Sequence, residues 1–123
     1  LLNFGHTVGH AIEEAYHADG RSIPHGYCVL WGMVAELYLS VLSLGMDKQV
    51  LTQLSHLMLA YYGRPACNCQ ERQRLVEWMM HDKKNKQAGQ ISFSLLRSIG
   101  NGVVDQTISR EQLDEALEYL FSL

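Results

Sequence analysis

Residues 29–46, VLWGMVAELYLSVLSLGM, are the longest apolar run in the chain, and they constrain its fold more than any other segment. A run this apolar has to be taken out of water. It also carries Glu36, Gly32, Gly45, Ser40 and Ser43. A charged residue and four small ones suit a helix buried in protein better than a membrane span. The chain has 123 residues, 47% of them hydrophobic, enough for one domain with a real core.

The rest of the sequence supplies shorter helices around that run. In residues 2–16, Phe4, Val8, Ala11, Ile12 and Ala15 recur at helical spacing, with Asn3 as the expected cap. A polar loop follows at residues 18–22. Pro24 fits the first turn of the long helix, and Gly45 fits its end. Asp47 is the expected cap of a third helix with Val50, Leu54, Leu57, Met58 and Tyr61 as its stripe. That helix ends near Gly63. Residues 70–81 read as a fourth helix, with Leu75, Val76, Trp78 and Met79 apolar. Ile91, Phe93 and Leu95 alternate with Ser92 and Ser94, which is a strand pattern. Residues 100–102 are the expected turn, and residues 103–108 the returning strand. Ser109 and Gln112 form a capping-box pair before a last helix carrying Leu113, Ala116, Leu117, Leu120 and Phe121. The expected fold class is mainly α: a helical bundle-like domain with one small β-hairpin near the C-terminal end.

Composition excludes several functions. The net charge is −3, from 10 basic and 13 acidic residues, which argues against a general nucleic-acid binder. No secretory signal is visible. The three cysteines, Cys28, Cys67 and Cys69, lack the spacing of a zinc knuckle and read as reduced thiols of a cytoplasmic protein. No glycine-rich strand–turn–helix motif is present, so no nucleotide-binding fold is expected within these residues. The chain begins inside its own most informative helix, so it reads as a piece of a longer protein.

That helix carries His6 and His10, one turn apart and on one face. Such a pair suits two ligands of one metal, or one ligand beside a proton-transfer group. His25 opens the next helix and is a third candidate donor. Gly5 and Gly9 precede the two histidines, and glycine inside a helix costs about 1 kcal/mol relative to alanine. Two of them imply a close approach to the helix surface, by a ligand or by another helix. His17 and His56 read as surface residues, and His81 as an exposed helix end. The run Asp82-Lys83-Lys84-Asn85-Lys86 reads on charge alone as a solvated helix C-terminus; the rival is an anion clamp.

Taken together, residues 1–13 (LLNFGHTVGHAIE), His25-Gly26 with Gly32-Met33, and Asp82-Lys83-Lys84-Asn85 resemble the C-terminal half of the 3-dehydroquinate synthase family, in the same order along nearly the whole chain. Ser94-Leu95-Leu96 and Ile99-Gly100 are similar to it too. The resemblance implies a two-domain, zinc- and NAD+-dependent enzyme of the shikimate pathway. Such an enzyme converts a phosphorylated seven-carbon sugar acid into 3-dehydroquinate and phosphate. It implies that residues 1–123 are the C-terminal helical metal- and substrate-binding domain, with the NAD-binding domain outside the chain. His6 and His25 are then two zinc (or cobalt) ligands, the third being a glutamate of the other domain. His10 is a catalytic, substrate-facing histidine. Asn3, Lys83 and Lys84 bind substrate, and Lys83 is the favoured catalytic lysine.

The family usually has glutamate after the His-Gly pair; here Tyr27 stands there, which bears on the surroundings of the metal. The resemblance also implies a homodimer as the full-length enzyme and a partner in the protein's own N-terminal domain, with no nucleic acid or membrane. These residues alone are expected to be inactive and to bind zinc weakly or not at all. Rivals are another sugar-phosphate cyclase, an iron-type alcohol or glycerol dehydrogenase relative, and a non-catalytic helical interaction module.

Overall fold

The computed structural model describes residues 4–63, 65, 69–80, 90–98 and 100–123, the side chains of Cys69, Gln90, Val104 and Asp105 excepted. Its elements run α1 (His6–Ala18), α2 (His25–Leu44), α3 (Lys48–Tyr61), α4 (Cys69–Met80), β1 (Gln90–Ser98), β2 (Asn101–Ser109) and α5 (Arg110–Ser122). The mainly helical class with one hairpin is what the sequence leads one to expect.

The apolar run is the hub. α2 is long and apolar enough to cross a membrane, yet α1, α3, α5 and β1 all pack against it. Cys28, Trp31, Val34, Ala35, Leu37 and Leu39 are all buried, so it is covered on most sides. Of the stripe expected from helical spacing, Val29, Met33, Leu37, Val41 and Leu44, Leu37 is buried and the other four are half-buried. Gly45 ends the helix at φ 72°, a left-handed conformation that a residue without Cβ adopts freely. The buried Ser40 hydroxyl donates to the Glu36 carbonyl at 2.9 Å and accepts from the Leu96 amide at 3.0 Å, which ties β1 to α2.

α1 differs from expectation at its start. The helix opens at His6, and its cap is Gly5, with φ 83° and no side-chain cap. Asn3, the expected cap, lies outside the described residues. Pro24 likewise sits just before α2, in an extended conformation, and is not part of its first turn. Asp47 does cap α3, accepting from the Gln49 amide at 2.9 Å.

The phase of α3 is a correction. Leu51, Ser55 and Met58 are its buried residues, while Leu57 and Tyr61 are exposed. A serine on the core side masks the stripe. Its hydroxyl is satisfied by the Leu51 carbonyl at 2.7 Å and the Tyr119 hydroxyl at 2.9 Å, so burial costs it little. Trp78 of α4 is also exposed, in contrast to the buried Leu75, Val76 and Met79 beside it.

β1 and β2 pair antiparallel, with Ile91 opposite Ile108 and Ser98 opposite Asn101. The turn is therefore tighter than expected: Asn101 and Gly102 belong to β2, and Gly100, at φ 81°, makes the bend. Ile91, Phe93 and Leu95 face the core, alternating with the half-buried Ser92, Ser94 and Leu96. The capping box at Ser109 is present in both directions, and α5 buries Leu113, Ala116, Leu117 and Leu120.

Candidate metal and substrate site

The site is set by how α1 meets α2. A Cβ on Gly32 would lie 2.1 Å from the Gly5 carbonyl oxygen and 2.5 Å from the Gly9 amide nitrogen. A Cβ on Gly9 would lie 2.7 Å from the Cys28 carbonyl oxygen. Only glycines let the two main chains come this close. The close approach implied by Gly5 and Gly9 is thus at least that of another helix.

The crossing lies near the helix starts, and each helix starts with a histidine. His6 and His25 face each other with ring centroids 6.2 Å apart and planes at 51°. Two imidazoles sharing one zinc through bonds of about 2.0–2.1 Å have centroids roughly 5–6 Å apart, depending on the angle at the metal. The His6 Nδ1 lies 3.3 Å from the Phe4 carbonyl oxygen. The His25 Nδ1 lies 3.0 Å from the Glu13 Oε1. Each ring is thus engaged through Nδ1, which leaves Nε2 as the nitrogen for an ion. Both rings are exposed. Among the described residues, no group of three or more His, Cys, Asp or Glu side chains is close enough to hold a metal. The two histidines fit part of a zinc-type donor set.

His10 stands apart from that pair. Its ring meets the Trp78 ring edge-on, with centroids 5.2 Å apart, and its Nε2 lies 4.0 Å from the Glu14 Oε1. About half of its side chain is exposed, so it is open to a ligand. A shallow groove between α1 and α4 begins beside it, lined by Ala11, Glu14, Ala15, Arg74 and Trp78 among others. Asn3, Lys83 and Lys84 lie outside the described residues, as does His81. His17 and His56 are exposed, as expected. Tyr27 packs edge-on against Trp31 and Tyr62, and the Trp31 indole N–H donates to the Gly63 carbonyl at 2.9 Å. The loop after α1 is fastened by Arg21. Its guanidinium lies over the Tyr16 ring at 4.0 Å and donates to Glu71 at 2.7 Å.

Sequence reasoning overlooked the group that holds the start of α1. Glu36, fully buried on α2, accepts from the Gly5 amide at 3.0 Å and the Val8 amide at 3.0 Å. It replaces the missing side-chain cap and satisfies helix N-terminal amides on both sides of His6. Burial pushes its carboxyl up to about 8, while the Val8, Gly5 and Thr7 amides pull the other way. A lone acid inside an 18-residue apolar run was the available signal. Cys28 is also buried, and loss of solvent pushes its thiol up to about 11, which keeps it protonated and inert.

A helical domain of this build has a counterpart among solved structures. The chain superposes on 2-deoxy-scyllo-inosose synthase, solved with carbaglucose-6-phosphate, NAD+ and Co2+, with a TM-score of 0.75. The match covers 95% of this chain and 34% of that one at 18% identity, a likeness of fold. Sequence narrows the class. Residues 1–85 match the 3-dehydroquinate synthase C-terminal family, and the chain belongs to it. It is 39% identical over 118 residues to the 3-dehydroquinate synthase of Parabacteroides distasonis and 36% identical over 113 residues to that of Leptospira interrogans. These matches take in 96% and 92% of the chain but only 33% and 30% of the relatives. The chain therefore spans about a third of their length.

Proposed function

We propose that the chain is the C-terminal metal- and substrate-binding domain of a 3-dehydroquinate synthase. That enzyme converts 3-deoxy-D-arabino-heptulosonate 7-phosphate into 3-dehydroquinate and phosphate. The observation that carries the reading is the meeting of His6 and His25 across the α1–α2 crossing, within a chain of this family. In this reading His6 and His25 hold a zinc or cobalt ion through Nε2. The third ligand and the NAD+ site belong to the N-terminal domain, in the part of the relatives' length that this chain does not span. When bound, the ion supplies Lewis acidity toward substrate hydroxyls and NAD+ supplies a hydride acceptor.

The chain's own residues do the remaining work. His10, propped by Trp78 and open on its other side, transfers a proton to and from the substrate. Asn3, Lys83 and Lys84 bind the anionic substrate, with Lys83 the favoured catalytic lysine. The full-length enzyme is a cytoplasmic homodimer in this reading.

Metal analysis of the full-length protein tests it. His6→Ala and His25→Ala lose the metal, whereas His10→Ala keeps the metal and loses turnover. Equal metal loss in all three would mean that the roles are wrongly divided. The likeness to 2-deoxy-scyllo-inosose synthase favours one second reading, a cyclase for a different sugar phosphate. Phosphate release from a panel of sugar phosphates separates the two.

A further inference from the structure

His25 has an exposed ring at the first residue of α2, where no preceding turn holds it and the helix has no side-chain cap. Its side chain is 59% exposed, yet the Glu13 carboxylate, 3.0 Å from Nδ1, holds the ring. Glu13 lies on α1, two turns beyond His6 and on the same face of the helix. One helix therefore supplies both the His6 ring and the anchor of the His25 ring.

We propose that Glu13 is a positioning residue that sets the tautomer and the direction of His25. The carboxylate accepts the Nδ1 proton, which leaves the lone pair on Nε2, in the ring that faces His6 at 6.2 Å. A carboxylate on the far nitrogen also makes the imidazole a stronger donor to a cation. This deepens the reading of His25 as a metal ligand and rests on it. Glu13 touches neither substrate nor ion; it acts through the histidine.

Two measurements test it. Long-range nitrogen–proton correlation spectra of the metal-free chain read the His25 tautomer directly. The parent shows the Nδ1–H form, and Glu13→Ala moves the population toward Nε2–H. Competition with a chromophoric chelator then gives the zinc affinity of the full-length protein. Loss of such a carboxylate weakens metal binding by about 10–100-fold. Glu13→Ala shows that loss, and Glu13→Gln, whose amide oxygen still accepts from Nδ1–H, shows a smaller one. An unchanged tautomer or an unchanged zinc affinity in Glu13→Ala overturns the proposal. If Glu13→Ala does not fold, Glu13→Gln decides: an affinity equal to the parent's overturns the proposal, and a measurable loss supports it. His25→Ala is the control for the reading beneath. If that variant retains zinc at full affinity, His25 is not a ligand, a different failure from that of Glu13.

Discussion

Replacing Glu36 with glutamine should flatten the pH dependence of stability. The carboxyl is fully buried and its folded-state value is pushed up to about 8, against 4.5 as the ordinary one. A group with a raised folded value holds more protons folded than unfolded. Its contribution to stability is whole below pH 4.5 and is lost as the pH climbs toward 8. The entire window is worth about 5 kcal/mol at about 1.36 kcal/mol per pH unit, and the part between pH 5 and pH 7 is on the order of 2–3 kcal/mol. Glu36→Gln imitates the uncharged form and does not titrate. It offers one acceptor where the carboxyl has two, so either the Gly5 or the Val8 amide loses its partner, at about 1–3 kcal/mol. The variant is thus the less stable protein at pH 5, and the two converge near pH 7. Urea unfolding from pH 5 to pH 8, followed by the fluorescence of the buried Trp31, measures this. Parallel stability profiles for parent and variant would refute the reasoning, because every other titrating group is common to both.

Gly32→Ala places a methyl group 2.1 Å from a main-chain oxygen that no rotamer change can move, so a loss of at least about 3 kcal/mol is expected. Gly26→Ala, with open space around its Cβ near the start of α2, is the control and should unfold at an equal or higher denaturant midpoint. Ser109→Ala removes the capping box of α5 and should cost about 1 kcal/mol in thermal or denaturant unfolding. Zinc titrated into the 123-residue chain should bind far more weakly than nanomolar, because two histidines make a partial donor set; a nanomolar calorimetric affinity would contradict this.

Much of this fold was legible because its signals are local. Asp47, Gly45 and the Ser109–Gln112 pair act within a few residues of themselves, and each sits where its chemistry requires. The histidines were legible as candidates for the same reason. What could not be read depends on contacts across the chain. The phase of α3 turns on Ser55, which belongs to the core only because Tyr119, 64 residues away, meets its hydroxyl. The start of α1 is set by Glu36, 31 residues beyond Gly5. Spacing alone paired His6 with His10; only the family resemblance paired His6 with His25. The crossing of α1 and α2 brings the rings of His6 and His25 together, while that of His10 lies against Trp78.

That crossing also bears on how such a sequence can drift. Gly9 and Gly32 bring main chain against main chain, and a contact of that kind offers no side chain to exchange. Val8, Ile12, Trp31 and Leu39 can be swapped for other apolar residues with compensating changes nearby, as cores tolerate when volume and pattern are kept. None of those swaps touches the glycine contact that sets how closely α1 and α2 approach. The spacing of the two histidines is thereby insulated from the slow turnover of the core around them. A designer could repack nearly the whole interior and keep the pair, whereas a single methyl at position 32 would part it.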